Sequence, residues 1–348
     1  MENLVEQLKS TYVNKRLLVT GHNGFKGSWL VGILNYLGSE VHGLSLSISN
    51  DSPFKLFHSS AIHQSYELDI RNFNNIQNFI SSLQPDLIFH LAAQSIVLDS
   101  YIKPRETFEV NVLGTANILQ SVLESSCRGV IVTTTDKVYK NDNSGTLFKE
   151  TDELWGHDPY SLSKVGAELT VAAWQNLPKS SSRSFVTARA GNVFGPGDRA
   201  SRRLIPDIVR GIRNRESVTL RNPDSIRPWQ FVLDPLMGYV MLGKRILDNK
   251  IIEKSYNFGP KKESFLTVRE LSAIFSNYRE VDFRFLKNTD NLESKVLKLD
   301  SKLATESLGW KFDTSIRKGI ELLLNFENDV IEPGEMERLI QAYLFSHE

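Results

Sequence analysis

Short, largely apolar runs alternate with stretches of helical period over the first half of the chain, and this alternation constrains the fold more than any other feature. The runs are residues 16–20, 40–46, 86–93, 129–133 and 184–189. A strand wetted on one side alternates polar and apolar residues, whereas runs this apolar are buried on both faces, as in a parallel sheet covered by helices. The stretches 25–37, 73–83, 106–124 and 160–177 are long enough to cross from one parallel strand to the next. Such crossovers should be right-handed. The expectation is an α/β protein with a doubly wound parallel sheet.

After Arg189 the texture changes, with Gly and Pro clustered between Gly191 and Gly197. Residues 1–190 are expected to form the sheet domain, with later strands contributed from roughly 228–260, and 191–348 mainly a smaller, discontinuous α/β domain. A length of 348 residues suits two such units. With 41 basic and 41 acidic residues the chain has no net field to draw it to nucleic acid or acidic membranes. No stretch approaches the roughly 20 apolar residues of a membrane helix, and Met1–Tyr12 has no apolar leader core. A single cysteine, Cys127, rules out an internal disulfide and suits a reducing compartment, so a cytoplasmic protein is expected. His42, His58 and His63 show no metal-ligand spacing, and no metal is expected.

Three motifs carry chemistry. Gly21-His22-Asn23-Gly24-Phe25-Lys26-Gly27 follows the first strand and opens a helix. Glycines there permit a tight turn, let backbone N–H groups approach a pyrophosphate, and allow close helix–strand packing. That context makes the sheet Rossmann-type and the loop a dinucleotide cradle; the alternative is an ordinary glycine-rich loop. The region 44–49 lacks the carboxylate that usually holds the adenosine ribose, and Lys26 and His22 stand in the loop, so NAD is expected with NADP left open. Asp69-Ile70, before a helix, suits either an adenine edge or a simple turn.

The second motif, Tyr160 and Lys164, places both side chains on one helix face. A phenol titrating near pH 10 serves as a base only where positive charge favours phenolate, which Lys164 and an oxidised nicotinamide would supply. The third, Thr134-Thr135-Asp136-Lys137, follows a strand end, where hydroxyl, carboxyl and amine could surround a small polar substrate or simply form a solvated loop.

These motifs stand in order with His90-Leu91-Ala92-Ala93, Asn111-Val112-Leu113-Gly114-Thr115, Arg189-Ala190-Gly191-Asn192, Gly195-Pro196-Gly197 and Leu308-Gly309-Trp310. The series resembles the extended short-chain dehydrogenase/reductase family acting on nucleotide sugars. Within it, Gly24–Trp29, Gln94, Asp136-Lys137, Gly156–Tyr160, Arg203–Ile208, Arg221–Pro223, Arg227–Gln230, Asn257–Pro260 and Leu297–Asp300 resemble the 4,6-dehydratases, most of all those acting on CDP-glucose.

The resemblance implies an internal redox cycle: oxidation at C4 of the hexose, loss of water across C5 and C6, and return of hydride to C6. It implies Tyr160 as the base at O4, Lys164 as its partner, Thr135 as a donor to O4, Asp136 as the acid at O6 and Lys137 as the candidate base at C5. An Asp136 that donates and a Lys137 that accepts must both be neutral near pH 7, and the two would titrate as a unit. The cofactor would rest on Gly21, His22, Gly24, Phe25, Lys26, Gly27, Asp69, Ile70, Leu91, Ala92 and Ala93. The substrate would meet Gln94, Asn192, Arg203, Leu204, Ile205, Arg221 and Arg227, with Asn192, Arg203 and Arg227 on its diphosphate, although each arginine could instead form a surface ion pair. Trp229 is either ligand or core. The resemblance also implies a homodimer paired through helices 106–124 and 160–177, and a part in making deoxysugars for surface glycans. A 4-epimerase would share Tyr160 and Lys164 but need neither Asp136 nor Lys137, and an idle dinucleotide sensor would need none of the four.

Overall fold

The structure, a computed structural model, describes residues 3–48, 52–57, 63–200, 203–286, 296–326 and 334–346. His58 and the last residue of the region 44–49, both considered above, lie outside these residues. The described strands begin with β1 (Arg16–Thr20), β2 (Glu40–Ser45), β3 (Gln64–Glu67), β4 (Leu87–His90), β5 (Gly129–Thr133), β6 (Leu147–Phe148) and β7 (Ser184–Ala190). They continue with β8 (Asn192–Phe194), β9 (Val218–Arg221), β10 (Ile226–Phe231), β11 (Ser255–Phe258), β12 (Phe265–Thr267), β13 (Phe283–Leu286) and β14 (Lys298–Leu299). The helices begin with α1 (Leu4–Tyr12), α2 (Phe25–Tyr36), α3 (Pro53–Phe57), α4 (Phe73–Leu83), α5 (Val97–Ile102), α6 (Pro104–Phe108) and α7 (Gly114–Val122). They end with α8 (Pro159–Gln175), α9 (Leu204–Asn214), α10 (Leu233–Leu247), α11 (Val268–Ser276), α12 (Lys302–Leu308), α13 (Ile316–Asn325) and α14 (Glu335–Phe345).

Seven strands form one sheet in the order β11-β7-β5-β4-β1-β2-β3, every pairing parallel. The apolar strands divide their side chains between two cores, Leu17, Val19, Leu87 and Phe89 on one face, Leu18, Ile88, Val130 and Val132 on the other. Double burial is why these runs read as continuously apolar. The exception, β3, is a mostly exposed edge strand of polar sequence, so no apolar run announces it. The strand order reverses between β1 and β4, and at such a switch point the crevice beyond the carboxyl ends receives ligands.

Two elements depart from expectation in a useful way. The run 86–93 stops pairing at His90, because Leu91 N–H bonds the Thr20 carbonyl (3.1 Å) and Ala92 N–H bonds Thr20 Oγ1 (3.1 Å), turning the chain towards the glycine loop. The expected helix 106–124 is instead α6, a π-helical turn over Glu109–Leu113, and α7. Within that turn Asn111 is buried and bonds both the Gln94 carbonyl (2.9 Å) and Ser163 Oγ (2.8 Å). π-turns recur at functional sites because the extra residue re-aims a side chain.

After β7 the chain builds the small sheets β12-β10-β8 and β13-β9, and β14 returns to pair with β6, which precedes β7. The chain also returns to the main sheet, where β11 pairs with β7 and α10 contributes Leu236, Met237 and Tyr239 to the core.

Candidate active site

The glycine loop is built almost wholly from backbone. Gly21 adopts φ 69°, and a Cβ there would stand 2.7 Å from Ala92 N, while a Cβ on Gly27 would overlap the Gly21 carbonyl oxygen. Gly24 caps α2 with no side-chain hydrogen bond and is exposed, so the first N–H groups of this helix face the crevice. An exposed helix N-terminus over a loop too tight for side chains fits a pyrophosphate. Phe25 is half-buried. His22 turns under the loop, its Nε2 2.9 Å from Ser65 Oγ, and burial lowers its pKa to about 4, so it supports the loop as a neutral ring.

Around this cradle lie the other expected cofactor residues. Leu91, Ala92 and Ala93 form the half-buried segment leaving β4. Asp69 bonds Arg71 through Nη2 at 2.6 Å, which holds its carboxyl below the usual range. Ile70 is buried against Gly114, with its carbonyl accepting from Asn117 Nδ2 at 2.8 Å.

Beyond β5 the segment Thr134–Lys137, expected to hold the acid and the base, lies close enough to the glycine loop for Asp136 and Lys137 to act on Lys26. Asp136 is 1% exposed; its Oδ1 accepts from Thr135 Oγ1 (3.0 Å) and Lys137 Nζ (3.3 Å), while Oδ2 has no partner among the described residues. A Cβ at residue 191 would stand 2.9 Å from that oxygen, so Gly191 leaves room for it. Lys137 Nζ also reaches Asn192 Oδ1 at 3.3 Å, which directs Asn192 to the acid–base pair. Tyr160 is buried, and burial raises its pKa; Lys137 is the first charge to oppose that rise, followed by the hydrogen bond with Thr135 and the charge of Arg203. Lys164 donates instead to the Thr133 carbonyl at 3.1 Å, and its pKa is lowered to about 8, by burial first, with Glu168 opposing. Among the described residues the charges that favour phenolate at Tyr160 are those of Lys137 and Arg203.

A concentration of cations gives the crevice its sign. Lys26 has its pKa lowered to about 8, by burial and then by Arg203, with Asp136 opposing and Lys164 and Lys137 adding to the fall. Arg203, at the start of α9, bonds Asp198 (3.3 Å) and Ser95 Oγ (3.2 Å) and keeps about a third of its side chain exposed. Gln94 anchors its N–H on Asn111 Oδ1 (2.9 Å), and its buried Oε1 has no partner among the described residues. Arg227 is buried on β10, Arg221 is exposed at the end of β9, Leu204 is half-buried, and Ile205 belongs to the core. Trp229 is core too, its Nε1 donating to the Leu266 carbonyl at 3.1 Å.

Two clusters were not legible from spacing. Glu40, His42 and His63 bring ligand-type atoms within 4.8 Å of one another on the strand side remote from the glycine loop, where Arg16 Nε occupies the same Glu40 oxygen (3.2 Å). Beneath the acid–base segment, Glu168 and Arg189 form a buried ion pair at 2.7 Å. Its sequence signals were that Glu168 stands four residues after Lys164, continuing the Tyr160–Lys164 stripe, and that Arg189 opens the segment Arg189-Ala190-Gly191-Asn192.

A seven-stranded parallel sheet, a glycine-cradled helix at its switch point and a Tyr/Lys pair on α8 define an extended short-chain dehydrogenase/reductase. The chain belongs to the GDP-mannose 4,6-dehydratase family, whose model matches residues 18–323. It is 38% identical over 313 residues to the CDP-glucose 4,6-dehydratase of Salmonella typhimurium, covering 87% of each chain. A probable dTDP-glucose 4,6-dehydratase of Sinorhizobium fredii is 28% identical, over 89% of this chain and 93% of its own. Among solved structures, the dTDP-glucose 4,6-dehydratase DesIV of Streptomyces venezuelae, with NAD bound, superposes with TM-score 0.78 at 24% identity, covering 89% of this chain and 96% of its own. The epimerase Mth375 of Methanothermobacter thermautotrophicus gives 0.81 at 24% identity, covering 97% of both.

Proposed function

We propose that the protein is an NAD-dependent hydro-lyase that converts CDP-glucose to CDP-4-dehydro-6-deoxyglucose. The observation that carries this reading is the juxtaposition of Asp136 and Lys137 with Thr135 and Tyr160 at the end of β5, beside the glycine cradle. A 4-epimerase has no use for the first two. The choice of CDP-glucose rests on the 38% relative.

The cradle fits a dinucleotide: Gly21, Gly24, Gly27, Phe25 and Leu91–Ala93 would hold its pyrophosphate region, Asp69 and Ile70 its adenine, and Lys164 its ribose. Bound nicotinamide would supply the redox chemistry, taking hydride from C4 and returning it to C6. Tyr160 removes the O4 proton while Thr135 bonds that oxygen, and the C4 ketone acidifies the C5 proton. Lys137 takes that proton, Asp136 protonates O6, and the C6–O bond breaks to release water. Lys137 then returns its proton to C5. This sequence of transfers needs Asp136 to carry a proton and Lys137 to be free of one when the sugar is bound. The part of the chain after Gly191 supplies Arg203, Arg221 and Arg227 to the nucleotide.

Mass spectrometry of separate incubations with CDP-, dTDP-, UDP- and GDP-hexoses tests this. Loss of one water from CDP-glucose, with no net NADH, is expected; loss from another nucleotide hexose alone overturns the substrate, and loss from none overturns the reaction. If Lys137 is the C5 base, Lys137→Met abolishes solvent-deuterium exchange at C5; undiminished exchange removes it from that role.

The protein is also proposed to act as a homodimer in the cytoplasm. Leu113 (58% exposed) and Leu169 (61%) flank the close contact of Val112 with Gly166, so α6–α8 present an apolar face outward. Light scattering at micromolar concentration should give twice the chain mass. Among the described residues no helix is long and apolar enough to cross a membrane, and the free, buried Cys127 suits a reducing compartment.

A further inference from the structure

The Glu168 carboxylate is fully satisfied without water: Oε1 accepts from Thr134 Oγ1 and Arg189 Nε (2.9 Å), and Oε2 from Thr187 Oγ1 (2.7 Å) and Arg189 Nη2 (2.7 Å). The two charged side chains are each 4% exposed. Arg189 extends the network through Nη1 to Tyr139 Oη (2.8 Å) and the Glu150 carbonyl (3.1 Å), and Tyr139 donates to Asn257 Oδ1 (2.7 Å). Thr134 and Tyr139 are the residues on either side of the segment Thr135–Val138, which carries Asp136 and Lys137. One buried ion pair thus grips both ends of the acid–base segment, and it does so from α8, one turn beyond Lys164.

We propose that Glu168 and Arg189 are positioning residues for the dehydration half of the reaction, setting Asp136 and Lys137 against the sugar through Thr134 and Tyr139. A buried pair is weak evidence of net stability, because desolvation offsets much of the attraction; its better-attested use is to select one arrangement over its neighbours. Here the selected arrangement is the height of the segment above β5. Tyr160 is carried by α8 and not by the segment, which it meets through the hydrogen bond with Thr135 and the charge of Lys137. The inference rests on the dehydratase reading.

The test uses Thr134→Val and Tyr139→Phe, which keep shape and remove one hydroxyl each, leaving the ion pair intact. In single turnovers with the hexose the wild type dehydrates, cofactor reduction at 340 nm reports oxidation at C4, and deuterium incorporation at C5 with mass loss reports dehydration. Each variant should slow dehydration roughly tenfold, since small misplacements of a reacting group are costly, while C4 oxidation, which of this segment needs only the Thr135 hydrogen bond and the charge near Tyr160, slows less and KM stays within about twofold. The double variant should be non-additive, because both hydroxyls act through one ion pair, and Thr134→Ser should restore the rate. Equal slowing of both steps, a merely lowered Tm with unchanged rates, or full additivity without rescue would overturn the proposal. A wild-type protein that dehydrates no nucleotide hexose would overturn the function as well, so the two failures are told apart before any variant is made.

Discussion

The glycine loop Gly21–Gly27 and the acid–base segment Thr134–Tyr139 leave strands of the same sheet, yet they are held by different kinds of contact. The loop closes on itself: the N–H of Gly24 bonds the Gly21 carbonyl (3.1 Å), the N–H of Gly21 bonds the Leu44 carbonyl (2.7 Å), and glycine is required where backbone meets backbone. The segment is held by side chains far away in sequence, Glu168, Arg189, Asn192 and Asn257. A backbone cradle suits a ligand present throughout the cycle. A side-chain scaffold with low local exposure suits groups that must exchange protons, because burial and neighbouring charge set their protonation.

Breaking each region separately should expose this difference. The largest effect is expected from Asp136→Asn, which removes the proton donor at O6 but leaves Thr135 and Tyr160. Dehydration should fall about a thousandfold, within the usual range for loss of a general acid, while reduced cofactor still forms and accumulates in single turnovers. Equal loss of both steps would show that Asp136 organises the whole site and is not confined to the second half.

Gly27→Ala should give the converse pattern. The added methyl overlaps the Gly21 carbonyl oxygen, so the loop must open. Cofactor affinity, measured by titration calorimetry, should fall roughly a hundredfold, as expected for displaced ligating groups, and CDP should still bind with near-native affinity. A weakening of both would mean that the two regions are mechanically coupled.

The contrast also accounts for what could be read from the chain. The loop was legible because its restraints are local: glycine at 21, 24 and 27 between a strand and a helix is a backbone requirement written in adjacent letters. The apolar strands were legible because burial on both faces demands uniform composition, and β3 escaped for the opposite reason, its four residues being polar and mostly exposed. Tyr160 and Lys164 could be paired from helical spacing, but the partner of Lys164, the Thr133 carbonyl, could not, since no side-chain pattern specifies a backbone acceptor. Asn192 was expected on the diphosphate; that its Oδ1 also meets Lys137 could not be read from the chain, because it follows from β8 pairing with β10. Arg189 stood in a motif and Glu168 in none, and nothing in either pattern paired them: that depends on α8 lying across β5 and β7, a tertiary fact.

A smaller and sharper test lies where the two regions meet. Lys26 belongs to the glycine loop, yet its charge is coupled to Arg203, Asp136, Lys164 and Lys137, and its pKa is lowered to about 8 chiefly by burial and then by Arg203. Below pH 8 it is cationic and attracts an anion; an anion bound beside it favours the charged form, so binding near pH 8 takes up a proton and affinity declines as pH rises above that value. Lys26→Met should weaken binding of its anion roughly tenfold at pH 7, the order of one charge-assisted hydrogen bond, and flatten the decline above pH 8. Titrating NAD and CDP separately across pH 6–10 assigns the residue: loss with NAD alone places Lys26 with the cradle, loss with CDP alone places it with Arg203. An affinity untouched by the substitution, or rising with pH, would show that the cation cluster faces neither diphosphate.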